Sequence, residues 1–158
     1  MKTIEYPQLL DELKLVARDA GREIMKIYES SFDVNYKDDG SPVTLADKAA
    51  DKVILSRLKN IIPNIPIVSE ENSSSHDLDV SNQFFLIDPL DGTKEFLKKD
   101  GLGSFTVHIG LIENGIPTLG VVFAPALNRM FFGSTLTGAF EESDVDFKEI
   151  KIRAVPSS

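Results

Sequence analysis

Two aspartates three positions apart, Asp88 and Asp91, follow the apolar run Phe85-Leu86-Ile87, with Pro89 between them and Gly92-Thr93 directly after. Proline holds φ near about −65° and suits the second position of a turn, so the two carboxylates have a defined mutual geometry at a strand end. Carboxylates held close together repel unless a cation sits between them. Hard divalent cations such as Mg²⁺ take oxygen ligands, often one or two carboxylates completed by substrate phosphate. The amides of Gly92 and Thr93 stand at the expected start of a short helix over Lys94–Lys99, where an anion is favoured. A carboxylate pair beside an anion cradle outlines a phosphate-ester site. Lys94, Lys98 and Lys99 add positive charge next to it, although an ordinary solvated helix face would carry the same residues.

Other acidic residues repeat the pattern. Ile67-Val68-Ser69 reads as a short buried strand ending at Glu70-Glu71, so two strands could bring their terminal carboxylates to one sheet edge; equally, Glu70 and Glu71 could open a solvated loop. Asp47 follows Thr44 by three residues, a capping-box-like helix start that explains an acidic residue there by itself. His76 lies in a polar, Ser-rich loop over 72–82 and is expected to be exposed. His108 shares a strand face with Thr106 and Ile112 and reads as a packed, hydrogen-bonded residue, because no Ser or Cys motif pairs with it.

The elements that must carry these residues are legible from periodicity. Leu10, Leu13, Ala17, Ala20, Ile24 and Ile27 recur at helical spacing and predict a helix over Pro7–Tyr28. Phe32–Tyr36 alternates like a strand, and Lys37–Pro42 is turn chemistry. Thr44–Asn60 predicts a second helix, and Gln83–Asp88 the strand that leads into the aspartate pair. Ser104–Glu113 alternates cleanly, Asn114-Gly115 is a hairpin signal, and Ile116–Phe123 returns as the partner strand. Arg129–Ser134, Ala139–Glu142 and Lys148–Arg153 add short strands. The expected fold class is α+β: two helices packed on one face of a mostly antiparallel sheet.

Composition narrows the function classes. At 158 residues the chain suits one domain with a real core. A net charge of −8 argues against a basic face that binds nucleic acid. It does not argue against a small phosphorylated substrate, because a local cation overrides the global field. With no cysteine, neither a disulfide framework nor a thiolate metal site is available. No apolar run approaches the roughly 18 residues of a membrane span, and no basic-then-apolar leader opens the chain, so a cytoplasmic protein without an integral membrane segment is expected.

Taken together, Asp88-Pro89-Leu90-Asp91-Gly92-Thr93, Ser41-Pro42-Val43-Thr44-Leu45-Ala46-Asp47 and Ser69-Glu70-Glu71 resemble, in order and spacing, the motifs of the inositol monophosphatase superfamily. Lys94-Glu95-Phe96, Phe105-Thr106-Val107 and Gly120–Pro125 look like the branch of CysQ-type 3′(2′),5′-bisphosphate nucleotidases. The resemblance implies the N-terminal half of the family's layered sugar-phosphatase fold. It implies Mg²⁺ held by Glu70, Asp88, Asp91 and the Leu90 carbonyl. It also implies an attacking water oriented and deprotonated by Asp47 and Thr93, with Glu70 contributing to catalysis through the cation. Gly92 and Thr93 amides would hold the phosphate, and Lys94 would help bind substrate. The implied reaction converts adenosine 3′,5′-bisphosphate to AMP and phosphate, with sensitivity to lithium.

The chain also departs from the pattern. Family members continue into a second, α/β half that supplies another metal-binding Asp, usually in a Trp-Asp motif, and the residues that recognise nucleoside or inositol. This chain has no Trp. Residues 1–158 are therefore expected to form the metal-binding domain of a two-domain phosphatase. The missing half would be needed in cis or in trans, and the chain alone would be inactive or nearly so. Two other functions stay open at this point: an inositol monophosphatase or broad sugar-phosphate phosphatase, and a non-catalytic domain that binds metal or phosphate.

Overall fold

A computed structural model describes residues 5–30, 45–77, 80 and 82–152. The expected strand at 32–36, the turn at 37–42 and the Ser41–Thr44 part of the second motif lie outside the described residues.

Helix α1 spans Tyr6–Tyr28 and α2 spans Leu45–Ile61. Pro7 sits in the first turn of α1, where a missing N–H costs nothing and a preset φ helps. From α1, Leu9, Leu13, Val16, Ala20 and Ile24 are buried, and α2 adds Ala46, Ala50, Ile54 and Leu58. Both helices pack on one face of a seven-stranded sheet in strict sequence order. Its strands are β1 Ile67–Ser69, β2 Gln83–Asp91, β3 Thr106–Glu113, β4 Ile116–Ala124, β5 Arg129–Ser134, β6 Gly138–Glu142 and β7 Phe147–Ile150. β1 pairs parallel to β2 and every later pair is antiparallel. The expected α+β meander is what forms, with a third, short helix α3 over Thr93–Lys98.

Period-two alternation sends Phe85 and Ile87 of β2, Val107, Ile109 and Leu111 of β3, and Val121 and Phe123 of β4 into the core beneath the helices. A Cβ on Gly21 of α1 would stand 2.6 Å from the Phe123 ring, so this glycine is what lets the helix lie close on β4. The Asn114-Gly115 hairpin has φ of +51° and +77°, the pair of left-handed residues that a type I′ turn requires. Pro117 falls beside an irregularity in the β3–β4 register, where its missing donor does no harm.

The opposite face of the sheet is largely bare among the described residues. Leu86 is 49% exposed there. Gly110, Gly120 and Gly133 pair side by side across three strands. With Val122 they floor an open, mostly apolar trough of about 920 Å³ that runs up to Glu70, Asp88 and His108.

Candidate functional site

The aspartate pair is shaped by a bulge rather than by the expected turn. β2 does not stop at Asp88 but continues to Asp91. Its register with β3 slips between Asp88, opposite His108, and Asp91, opposite Thr106. In a regular strand, residues three apart point to opposite faces. One extra residue at Pro89-Leu90 removes that half-step, so Asp88 and Asp91 share the face of their partners His108 and Thr106. Bulges are also where a strand tolerates proline. The Asp88 carboxylate accepts the Leu90 amide at 3.1 Å, an Asx turn that locks the bulge, while Leu90 buries its side chain in the core. The Leu90 carbonyl accepts the Thr93 hydroxyl at 3.3 Å.

The strand ends do converge, as the repeated apolar-then-acidic pattern suggests. β1 runs parallel to β2 with Ser69 beside Ile87, and the Glu70 amide donates to the Ile87 carbonyl at 3.2 Å. Glu70 therefore leaves β1 next to Asp88. Asp47 sits in the first turn of α2 and is only 4% exposed, so it is more than a solvated helix start. Burial, reinforced by the charges of Glu71, Asp88, Glu70 and Asp51, pushes the Asp47 carboxyl up to about 8. Burial and the neighbouring Glu70 and Asp91 push Asp88 up to about 7. Six carboxylates thus share one electrostatic neighbourhood at the C-terminal ends of β1 and β2.

Downstream, Gly92 has φ of +87°, and a Cβ there would stand 2.7 Å from the Ser104 carbonyl oxygen. Only glycine meets both conditions, which turns the chain from the bulge into α3. The helix starts at Thr93 and ends at Lys98, one residue earlier at each end than expected. Phe96 anchors it in a cluster with Tyr28 and Phe105, with ring centroids 4.9–5.3 Å apart. Lys94 is exposed in the first turn. Lys98 pairs with Glu95 at 3.3 Å and Lys99 donates to the Ser30 carbonyl at 2.5 Å, so these two lysines have other partners.

Some residues at the site were undervalued by the sequence. His108 bonds Thr106 at 2.7 Å and stands 3.7 Å from the Asp91 carboxylate. Its place opposite Asp88 follows from the regular β2–β3 pairing, a tertiary relation that periodicity does not reveal, and the bulge just beyond brings Asp91 round to it. His76 is exposed as expected, yet its ring Nε2 bonds the Ser69 carbonyl at 2.9 Å. The Ser-rich loop around it contains a turn of 3₁₀ helix over Ser73–Ser75 with Ser75 buried.

The donor set suits a hard divalent cation: carboxylates and a backbone carbonyl, all oxygen. Burial raises Asp47 and Asp88 first, and the mutual repulsion that adds to it is what such a cation would relieve. Among the described residues, no three His, Cys, Asp or Glu side chains stand close enough together to hold a metal ion as they are placed. Also among them, no helix is long and apolar enough to cross a membrane.

Known proteins resemble the chain in both sequence and fold. The model of the inositol monophosphatase family matches residues 7–158. The 3′(2′),5′-bisphosphate nucleotidase CysQ of Salmonella typhimurium is 44% identical over 148 residues, covering 92% of this chain and 59% of the relative. The CysQ nucleotidase of Buchnera aphidicola is 47% identical over 129 residues, 80% of this chain and 48% of the relative. Among solved structures, CysQ from Bacteroides thetaiotaomicron superposes with a TM-score of 0.72 at 30% identity, over 97% of this chain and 55% of its own. Mycobacterium tuberculosis SuhB shares the fold, with a TM-score of 0.76 at 24% identity, over 97% of this chain and 55% of its own. The chain spans about half the length of the relatives it matches.

Proposed function

The chain belongs to the inositol monophosphatase family, and from that premise we propose that it is the cation-binding wall of a Mg²⁺-dependent phosphomonoester hydrolase acting on adenosine 3′,5′-bisphosphate. The observation that supports this most is the β2 bulge, which turns Asp88 and Asp91 to the face where Glu70 arrives, in a chain 44% identical to a CysQ nucleotidase. Glu70, Asp88, Asp91 and the Leu90 carbonyl would hold Mg²⁺. The chemistry a bound Mg²⁺ supplies is charge neutralisation on the phosphoryl oxygens and acidification of water. Asp47 is the general base. Burial, reinforced by the surrounding negative charges, gives its carboxyl the raised proton affinity that base catalysis near neutral pH requires. Thr93 orients the attacking water together with Asp47. The Gly92 and Thr93 amides receive the phosphoryl oxygens, and Lys94 contributes positive charge to substrate binding.

Residues 1–158 form the N-terminal domain of the enzyme, and the rest of the relatives' length corresponds to a second domain. The bare apolar face of the sheet, which leads directly to Glu70, Asp88 and His108, receives that domain in cis or in trans.

The test is phosphate release from adenosine 3′,5′-bisphosphate and from inositol monophosphate, with and without Mg²⁺, by the 158-residue chain and by a version extended to the relatives' length. The extended version should release phosphate only with Mg²⁺ and prefer the nucleotide, while the shorter chain should be nearly inactive. Equal or better turnover of inositol monophosphate would overturn the substrate assignment. Full activity of the 158-residue chain would overturn the need for a second domain.

A further inference from the structure

We propose that Asp51 is a positioning residue for Glu70, acting through Ser69. The proposal rests on the assignment of Glu70 as a cation ligand. Among the described residues, β1 is a three-residue strand at the edge of the sheet with β2 as its one partner. Yet Ser69, its last residue, is fully buried and every polar group on it is engaged. The Ser69 hydroxyl donates to Asp51 Oδ1 at 2.5 Å. Its amide donates to Ser75 Oγ at 3.0 Å. Its carbonyl accepts from the Asn72 amide at 3.1 Å and bonds His76 Nε2 at 2.9 Å.

The geometry gives this clasp a purpose beyond holding the strand. Asp51 lies one helical turn after Asp47 on α2, so both side chains leave the same side of the helix. Its bond to Ser69 ties the helix that carries one site carboxylate to the strand end from which the next one emerges. Glu70 follows Ser69 directly, and its amide is already committed to β2. A part-buried hydroxyl-to-carboxylate bond is among the stronger hydrogen bonds available to a side chain. Asp51 thereby sets the distance between Asp47 and Glu70 without touching a bound ion.

The experiment is Mn²⁺ binding to the 158-residue chain, followed by electron paramagnetic resonance, with circular dichroism on each variant to monitor folding. Asp51→Ala and Ser69→Ala should each weaken Mn²⁺ about tenfold, the effect usual for groups that orient a ligand. The double variant should lose no more than either single one, because both remove the same bond. Asp51→Asn keeps an acceptor for the Ser69 hydroxyl but drops the charge, and should bind close to the unaltered chain. If an alanine variant fails to fold, weak binding by Asp51→Asn still overturns the proposal. Unchanged affinity in the alanine variants, additive losses in the double variant, or weak binding by Asp51→Asn would each overturn the proposal. Glu70→Gln separates the two levels. If it too binds Mn²⁺ normally, the ligand assignment falls and this inference falls with it. If it binds weakly while Ser69→Ala does not, only the positioning role falls.

Discussion

Raising the pH of the cation-free chain should destabilise it, and the site says by how much. Asp47 and Asp88 move from the ordinary aspartate value of 3.8 to about 8 and about 7 in the folded chain. Both carboxyls therefore hold protons more tightly folded than unfolded. Between those values the folded chain carries more bound protons, so stability is greatest at the acid end and falls as pH rises, levelling off above about 8. Each such group contributes about 1.4 kcal/mol per pH unit inside its window. A step from about pH 5.5 to about pH 7.5 is then worth about 3 kcal/mol from Asp47 and about 2 kcal/mol from Asp88 if they acted alone. They repel one another, so protonating one relieves the other and the contributions overlap, leaving about 2–3 kcal/mol. For a chain of this size that corresponds to a fall in Tm of about 5–10 °C. Glu113 and Glu142 are held below the usual carboxylate range by hydrogen bonds and cationic neighbours, stay ionised across this window, and do not offset the loss. Thermal unfolding followed by circular dichroism in a chelator would read the slope. Asp47→Asn should remove the larger share of it, raising Tm at the higher pH with little change at the lower. Saturating Mg²⁺ should restore more stability at the higher pH, because protons and the cation compete for the same oxygens. A Tm that is flat or rises with pH, or an Asp47→Asn variant that keeps the full slope, would refute the reasoning.

Three substitutions extend the test. Asp91→Asn should remove most phosphatase activity from the complete enzyme while changing stability by less than about 0.5 kcal/mol, since the Asp91 side chain is 60% exposed; near-normal turnover at saturating Mg²⁺ would contradict its ligand role. Gly92→Ala forces a Cβ onto the Ser104 carbonyl at a positive φ and should cost about 2 kcal/mol or more in urea denaturation. Gly21→Ala pushes a methyl into the Phe123 ring and should cost about 1–3 kcal/mol by the same measurement, with no change in Mn²⁺ affinity because the side chains it meets, Phe123 and Pro125, are not among the site carboxylates.

Local patterns announced most of the fold. Both long helices follow from apolar spacing, the meander from alternation, and the hairpin from Asn114-Gly115, because each is decided by residues near in sequence. The convergence of Glu70 with Asp88 was legible as two apolar runs that each end in an acid. The bulge was not. Pro89 between two aspartates looks like a turn, and only the register against His108 and Thr106 shows the strand carrying on through it. The same register decides that His108 faces the site, so a histidine read as merely packed turns out to stand 3.7 Å from Asp91. Asp51 gave no signal at all, since its bond to Ser69 depends on how α2 lies across β1, a tertiary relation with no periodicity behind it. Asp47 is the intermediate case: helix-start chemistry explained it locally, and only its burial among other carboxylates sets it apart.

The most direct test of the central claim is anomalous diffraction from a crystal of the chain soaked in Mn²⁺ and recorded at the manganese edge. An anomalous peak is expected, bounded by the carboxylates of Glu70, Asp88 and Asp91 and by the Leu90 carbonyl, with Asp47 facing it from α2. No peak among those oxygens, with manganese bound elsewhere on the molecule, would contradict it.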